Sequence, residues 1–176
     1  TLNRTPIPII KSQYPNIEVI TGKATKPQLT NIQANADCFV FPSRGEGFGI
    51  TPLEAMATGM PAIVPNAHGI SEYFNKEYMY EVNVAGTCPG LYLRYKGQNV
   101  GNMVVCDVEH LRRQMRFVYE HEAQARKMGK KAAEYVKQWT IEQSAQKLKA
   151  VLDDIRRQPL SVKSRQGNIL SLEKYT

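Results

Sequence analysis

Apolar residues in this chain fall into short runs early on and into spaced stripes later. Asp37-Cys38-Phe39-Val40-Phe41-Pro42-Ser43 is apolar through its middle and closes on proline and serine, which predicts a buried strand ending in a turn. Leu53 to Thr58 predicts a short helix, stopped by Gly59 and Pro61. The local order is therefore strand, loop, helix. Further along, Val108, Leu111, Met115 and Val118 share one face at helical spacing, as do Ala145, Leu148, Leu152 and Ile155. Such stripes are core in most proteins, so both are expected to pack inward. Thr140-x-x-Gln143 has the spacing of a cap between the second and third helices of this part. Between Glu72 and Asp107 the pattern breaks down. Tyr80 to Val100, with Gly86, Pro89, Gly90, Tyr92, Tyr95 and Gly97, reads as a hairpin or excursion packed at a site's edge. From Pro159 the chain is polar and reads as a linker or docking tail, which divides it into a domain over 1–158 and a tail over 159–176.

The loop between strand and helix carries the chemistry. Glu46-Gly47-Phe48-Gly49-Ile50-Thr51-Pro52-Leu53-Glu54 puts two carboxylates eight positions apart across a glycine-hinged turn. Gly47 and Gly49 let the backbone approach a ligand closely, and the free amides opening a helix suit a phosphate or sugar oxygen. Thr51, Pro52 and Glu54 spell a capping box with proline at the first helical position, so local sequence leaves Glu54 evenly divided between cap and ligand. Glu46, between two glycines ahead of the helix, gains little as structure and is the stronger site residue. Phe48 is more often a packing residue than a ligand contact.

This segment resembles the donor-site signature of the retaining, group 1 glycosyltransferases of GT-B fold, the glycogen synthase and sucrose synthase type, in which two glutamates flank seven residues. Ile17-Glu18-Val19-Ile20-Thr21-Gly22 resembles the strand and glycine before that family's base-binding loop, and Leu29 to Ala36 the following helix. Glu54 to Val64, His68-Gly69-Ile70-Ser71-Glu72 and Trp139-Thr140 follow in the family's order, so the resemblance covers residues 17 to 157. It implies an α/β fold, a Rossmann-like parallel sheet flanked by helices, forming the C-terminal half of a GT-B enzyme. It also implies transfer of a hexose from a nucleoside-diphosphate sugar, with no metal and no cofactor. Glu46 would be catalytic, holding a donor hydroxyl and stabilising positive charge at the anomeric carbon, and Glu54 would bind the ribose hydroxyls. Gly22, Lys23, Gly47, Phe48, Gly49, Ile50, Thr51, His68 and Gly69 would complete the donor site. His68 stands where the family often has a second glycine, a departure that bears on the loop's shape and on the sugar accepted. The family's pyrophosphate-gripping Arg and Lys lie upstream of the matched blocks, and neither Arg4 nor Lys11 is their equivalent. Lys23 and Lys26, in the base-side loop, are not expected to reach the phosphates. The expectation is a truncated chain, inactive by itself, whose partner is the missing N-terminal half.

Composition adds bounds. At 176 residues, 42% hydrophobic and 22% charged, the chain suits one globular domain with a proper core. No apolar run approaches the roughly 20 residues that span a bilayer. No signal-peptide pattern opens the chain, and a soluble, cytoplasmic protein is expected. Cys38, Cys88 and Cys106 are unclustered, read as buried thiols with Cys38 and Cys106 in strands, and lack zinc spacing. His110 and His121 sit among charged helical residues and are expected to be solvated. Charge is concentrated: residues 112–165 hold 14 Lys/Arg against 6 Asp/Glu. Arg112, Arg113, Arg116, Lys127, Lys130 and Lys131 are expected on an outer face, either solvated or lying peripherally against an anionic membrane surface. The segment lacks interleaved aromatics, so a nucleic-acid partner is not expected. The alternative to an enzyme is a non-catalytic module that binds a nucleotide sugar or carbohydrate.

Overall fold

A computed structural model describes residues 14–91, 97–157, 162–163 and 169–170. Its centre is a parallel sheet of three strands in the order β1-β2-β3: Phe39–Val40, Ala62–Pro65 and Tyr80–Val82. The ladder sets Phe39 opposite Ala62 and Ile63 opposite Tyr80. The middle strand is buried along its whole length, as expected of a parallel strand covered on both faces. Ala62 and Val64 point into one layer with Leu53, Met56, Ile70, Tyr73 and Met79, while Ile63 points into the other with Tyr80, Val82 and Val118. The first layer is covered by helix α2 (Ile50–Ala57) and by α4 (Glu122–Tyr135), and the second by α3 (Val108–Glu120).

Helix α1 (Lys26–Ala34) precedes the sheet. It begins three residues earlier than the expected helix over 29–36, because Thr25 and Gln28 form a reciprocal capping box, with Thr25 N–H donating to Gln28 Oε1 at 2.8 Å. The strand expected over 17–22 does not form. Ile17 and Ile20 are exposed, and no described strand pairs with the segment, so it has no ladder to join. The strand expected over 37–43 is confined to Phe39–Val40, although Phe41 N–H still bonds Ile63 O at 2.9 Å. Cys38 therefore lies just ahead of the strand, while Cys106 closes one.

After β3 the chain makes an antiparallel hairpin of β4 (Val84–Leu91) and β5 (Asn99–Cys106), with register shifts near each end. This is the expected excursion; Tyr92 and Tyr95 lie outside the described residues. It is pinned near its base, by Asp107 N–H to Asn83 O at 2.8 Å and by Val104 N–H to Arg44 O at 2.8 Å, the second of which ties it to the loop that follows β1.

The basic part differs from expectation in what it buries. Val118 is buried, but Val108 and Met115 of the same stripe face solvent, and the inward side of α3 is completed by Leu111 and Phe117. His110 is not solvated: it is half-buried, and its Nδ1 accepts the Asn83 N–H at 3.0 Å. His121 is exposed but stacks on Phe117 at 4.2 Å. A 3-10 turn (Val136–Trp139) leads to α5 (Ile141–Arg157), where Thr140 caps Gln143 N–H at 3.2 Å as its spacing predicts. No residue of α5 is buried, so the Ala145, Leu148, Leu152 and Ile155 stripe is not core. Among the described residues nothing lies over that face. The six outer arginines and lysines are exposed as expected. Past α5 the described residues form one short antiparallel ladder, β6 (Val162–Lys163) with β7 (Ile169–Leu170), and the other residues of the expected tail, like Arg4 and Lys11, lie outside the description. Among the described residues no helix is long and apolar enough to cross a membrane.

Candidate functional site

The loops following β1 and β2 leave the same edge of the parallel sheet and meet. Gly69 N–H donates to Glu46 O at 3.3 Å, and a Cβ on Gly69 would lie 2.2 Å from Gly47 O. Only glycine at 69 permits that approach. His68, just before it, holds φ 52°, the left-handed conformation that glycine adopts freely. The loop thus keeps a glycine-like shape at 68 despite the histidine.

Over this junction leans the hairpin, and the three segments enclose a cleft of about 240 Å³ lined by Gly45, Glu46, Gly47 and His68 from below and by Gly90 and Gly101 to Met103 from above. Glu46 is half-buried in it, with Ser43 Oγ donating to Glu46 Oε1 at 2.7 Å. That bond orients the carboxylate and leaves its other oxygen for a ligand. Among the described residues no lysine or arginine lines the cleft. The Arg44 guanidinium, one residue before it, contacts Cys88 Sγ on β4 instead.

Helix α2 starts earlier than its sequence predicts. Gly49 is its N-cap, with φ 78° and no side-chain capping bond, so Ile50 is already helical. Thr51 is therefore not the cap, Pro52 sits third in the helix, and Glu54 is exposed rather than bonded back to Thr51. Proline is tolerated there because first-turn amides have no intrahelical acceptor. Tyr73 fixes the hinge from behind: its hydroxyl donates to Gly49 O at 2.6 Å. Burial pushes the Tyr73 phenol well above its ordinary range, and the nearby Glu46 carboxylate pushes it further, so it stays a neutral donor. The Phe48 ring packs at 5.5 Å from Tyr73 and 5.8 Å from Trp139. Its side chain holds the loop down; the Phe48 amide has no acceptor among the described residues.

Of the sequence-predicted residues, the structure gathers Glu46, Gly47, His68 and Gly69 at one place, with Phe48, Gly49, Ile50 and Thr51 leading from it into α2. Gly22 and Lys23 line a separate groove of about 360 Å³ beside α1, with Thr21, Gln28 and Asn31, and it shares no lining residue with the Glu46 cleft. Glu54 lines neither. Sequence reasoning missed Ser43, Tyr73 and the hairpin residues Asn102 and Met103. Ser43 sits three residues before Glu46 on a Pro-Ser turn, a signal that was available; a hairpin at the site's edge was expected, but which of its residues face Glu46 is set by strand register and tertiary packing. Among the described residues no three His, Cys, Asp or Glu side chains cluster as metal ligands.

The sequence profile described as "Glycosyl transferases group 1" matches residues 14–135, most of the chain. This chain belongs to the group 1 glycosyltransferase family. The matched span contains the sheet, both glycine loops and the hairpin. Among curated glycosyltransferases, the chain is 47% identical over 51 residues to the putative glycosyltransferase ORF313 of Acidianus filamentous virus 1, covering 29% of this chain and 16% of that protein. It is 58% identical over 36 residues to the lipopolysaccharide core biosynthesis mannosyltransferase LpsB of Rhizobium meliloti, covering 20% and 10%. A third similarity, 39% over 54 residues, is to the sulfoquinovosyl transferase SQD2 of Arabidopsis thaliana, covering 31% and 11%. The matches thus span less than a fifth of these relatives' lengths.

Proposed function

We propose that this glycosyltransferase chain is the donor-binding half of a retaining enzyme that moves a hexose from a nucleoside-diphosphate sugar to an acceptor. The observation that carries the reading is the Glu46 carboxylate, oriented by Ser43 in a cleft where two glycine loops and a hairpin converge. In this reading Glu46 holds a hydroxyl of the donor sugar and stabilises positive charge growing at the anomeric carbon. The amides of Gly47 to Thr51 lie at the positive end of α2 and suit the departing pyrophosphate. Since no basic side chain among the described residues lines the cleft, the cations for that leaving group are assigned to residues outside the described ones, and the acceptor to a second Rossmann-like half. Gly22 and Lys23 are assigned to the nucleotide end of the donor, in the groove beside α1. Glu54, free of any capping bond, is assigned to the ribose hydroxyls. The reading calls for no cofactor beyond the donor.

Two substitutions, made in the chain joined to its acceptor half, test it. Glu46→Gln keeps the side chain's size and removes its charge, so turnover should fall on the order of 100-fold with donor affinity little changed. Glu54→Gln should weaken donor binding about tenfold with turnover preserved, the effect of losing a charge-assisted hydrogen bond. Full turnover in the Glu46 variant would remove its catalytic assignment, and unchanged donor affinity in the Glu54 variant would remove the ribose contact.

A further inference from the structure

The outer face of α3 combines two features that a merely solvated helix does not need together. Val108, Met115 and Tyr119 are 65%, 47% and 77% exposed, and they recur at i, i+7 and i+11, forming one stripe along the helix. Arg112 and Arg116 sit beside that stripe at i+4 and i+8, and Arg113 lies further round the same outer side. The Arg116 guanidinium rests over the Tyr119 ring at 5.8 Å. Arg112, Met115, Arg116 and Tyr119 border a shallow depression of about 320 Å³, flanked by two guanidiniums of the kind that take phosphate oxygens. The helix's two carboxylates, Glu109 and Glu120, are confined to its first and last turns, so its middle carries positive charge alone. Glu109 pairs with Arg112 at 3.0 Å, a surface contact with both side chains mostly exposed, which leaves the arginine available. Lys127, Lys130 and Lys131 of α4, the helix packed beside α3, are also exposed.

We infer that this face rests on an anionic lipid bilayer, the arginines at the headgroup phosphates and Val108, Met115 and Tyr119 at the acyl boundary. Charge complementarity favours an anionic surface, and the apolar stripe favours lipid over a nucleic-acid backbone, which has no use for valine and methionine. A groove-forming protein that swallows a basic helix is disfavoured, because the inner side of α3 is already committed to the core through Leu111, Phe117 and Val118. The inference is independent of the donor reading: α3 begins beside the end of β3 and lines neither groove.

Sedimentation of the full chain with vesicles tests it. The chain should pellet with phosphatidylcholine vesicles containing phosphatidylglycerol, should stay in solution with phosphatidylcholine alone, and should be released by salt. Replacing Arg112, Arg113 and Arg116 together by Gln should lower partitioning on the order of 100-fold. Replacing Val108, Met115 and Tyr119 together by Ser should also lower it, while heparin binding stays at the wild-type level. Thermal melts of both variants, and each single Arg→Gln change, separate loss of the face from loss of fold. Undiminished pelleting of a folded arginine variant would overturn the inference. So would an apolar variant that sediments like wild type, which would assign the face to polyanions such as nucleic acid. Absence of pelleting at low salt would return it to solvent.

Discussion

Gly69 and Gly49 show how narrowly single residues set the site. A Cβ at 69 would lie 2.2 Å from the backbone of Gly47, a contact that no rotamer relieves, so Gly69→Ala should separate the two loops. The expected loss is about 1–3 kcal/mol, read as a lower melting temperature, together with weaker donor binding. Tyr73→Phe keeps the ring packing but leaves Gly49 O without its buried donor, and should cost about 1–1.5 kcal/mol. Cys38 offers a control away from the cleft. Burial first, and then the Asp37 carboxylate, push its thiol up to about 11, so alkylation should be slow at neutral pH and accelerate only as pH approaches that value. Fast labelling of Cys38 at pH 7 would contradict the packing drawn around β1. That Glu46 and the glycines around it share one loop ahead of a helix was legible in the sequence, because their spacing has few structural explanations. The capping box at Thr51 and Glu54 misled because the cap is set by the left-handed backbone of Gly49, and a glycine in sequence does not announce its φ.

Among the elements, helical stripes told which residues share a face but not whether a partner lies against it. α5 is the clearest case: its stripe has the periodicity of a core helix, yet Leu148 and Leu152 are 60% and 55% exposed. The helix is held to the body at its first turns, beside Trp139, over whose ring Lys147 lies at 5.2 Å. Hydrogen exchange should therefore find α5 far less protected than β2 and α2, which are buried on the sheet. Equal protection would mean that the apolar face of α5 is covered in solution. α3 misled for a related reason: Val108 and Met115 keep helical spacing with Leu111 and Val118 yet are exposed on the outer face, and spacing alone cannot tell inside from outside. The segment 17–22 has the composition of a strand, but a strand exists only with a neighbour, and local sequence carries no record of one. The hairpin was readable because glycines, a proline and tyrosines without helical spacing exclude a helix there.

At the scale of the molecule, the parallel order β1-β2-β3 sends the first two connecting loops to one edge of the sheet, and that edge is where open α/β sheets place their ligands. The hairpin inserted after β3 then roofs the loop that carries Glu46. Family membership and architecture agree on the fold, and the cleft is where the donor's sugar is proposed to lie. Backbone amide resonances, followed while UDP-, GDP- and ADP-hexoses are titrated into the chain, test that placement most directly. The account predicts that at least one donor shifts residues 45–49 and 68–69 and the facing hairpin at 90 and 101–103, with further shifts at 21–24, and leaves 112–119 unmoved. Donors that bind yet leave 45–49 and 68–69 unperturbed would contradict it.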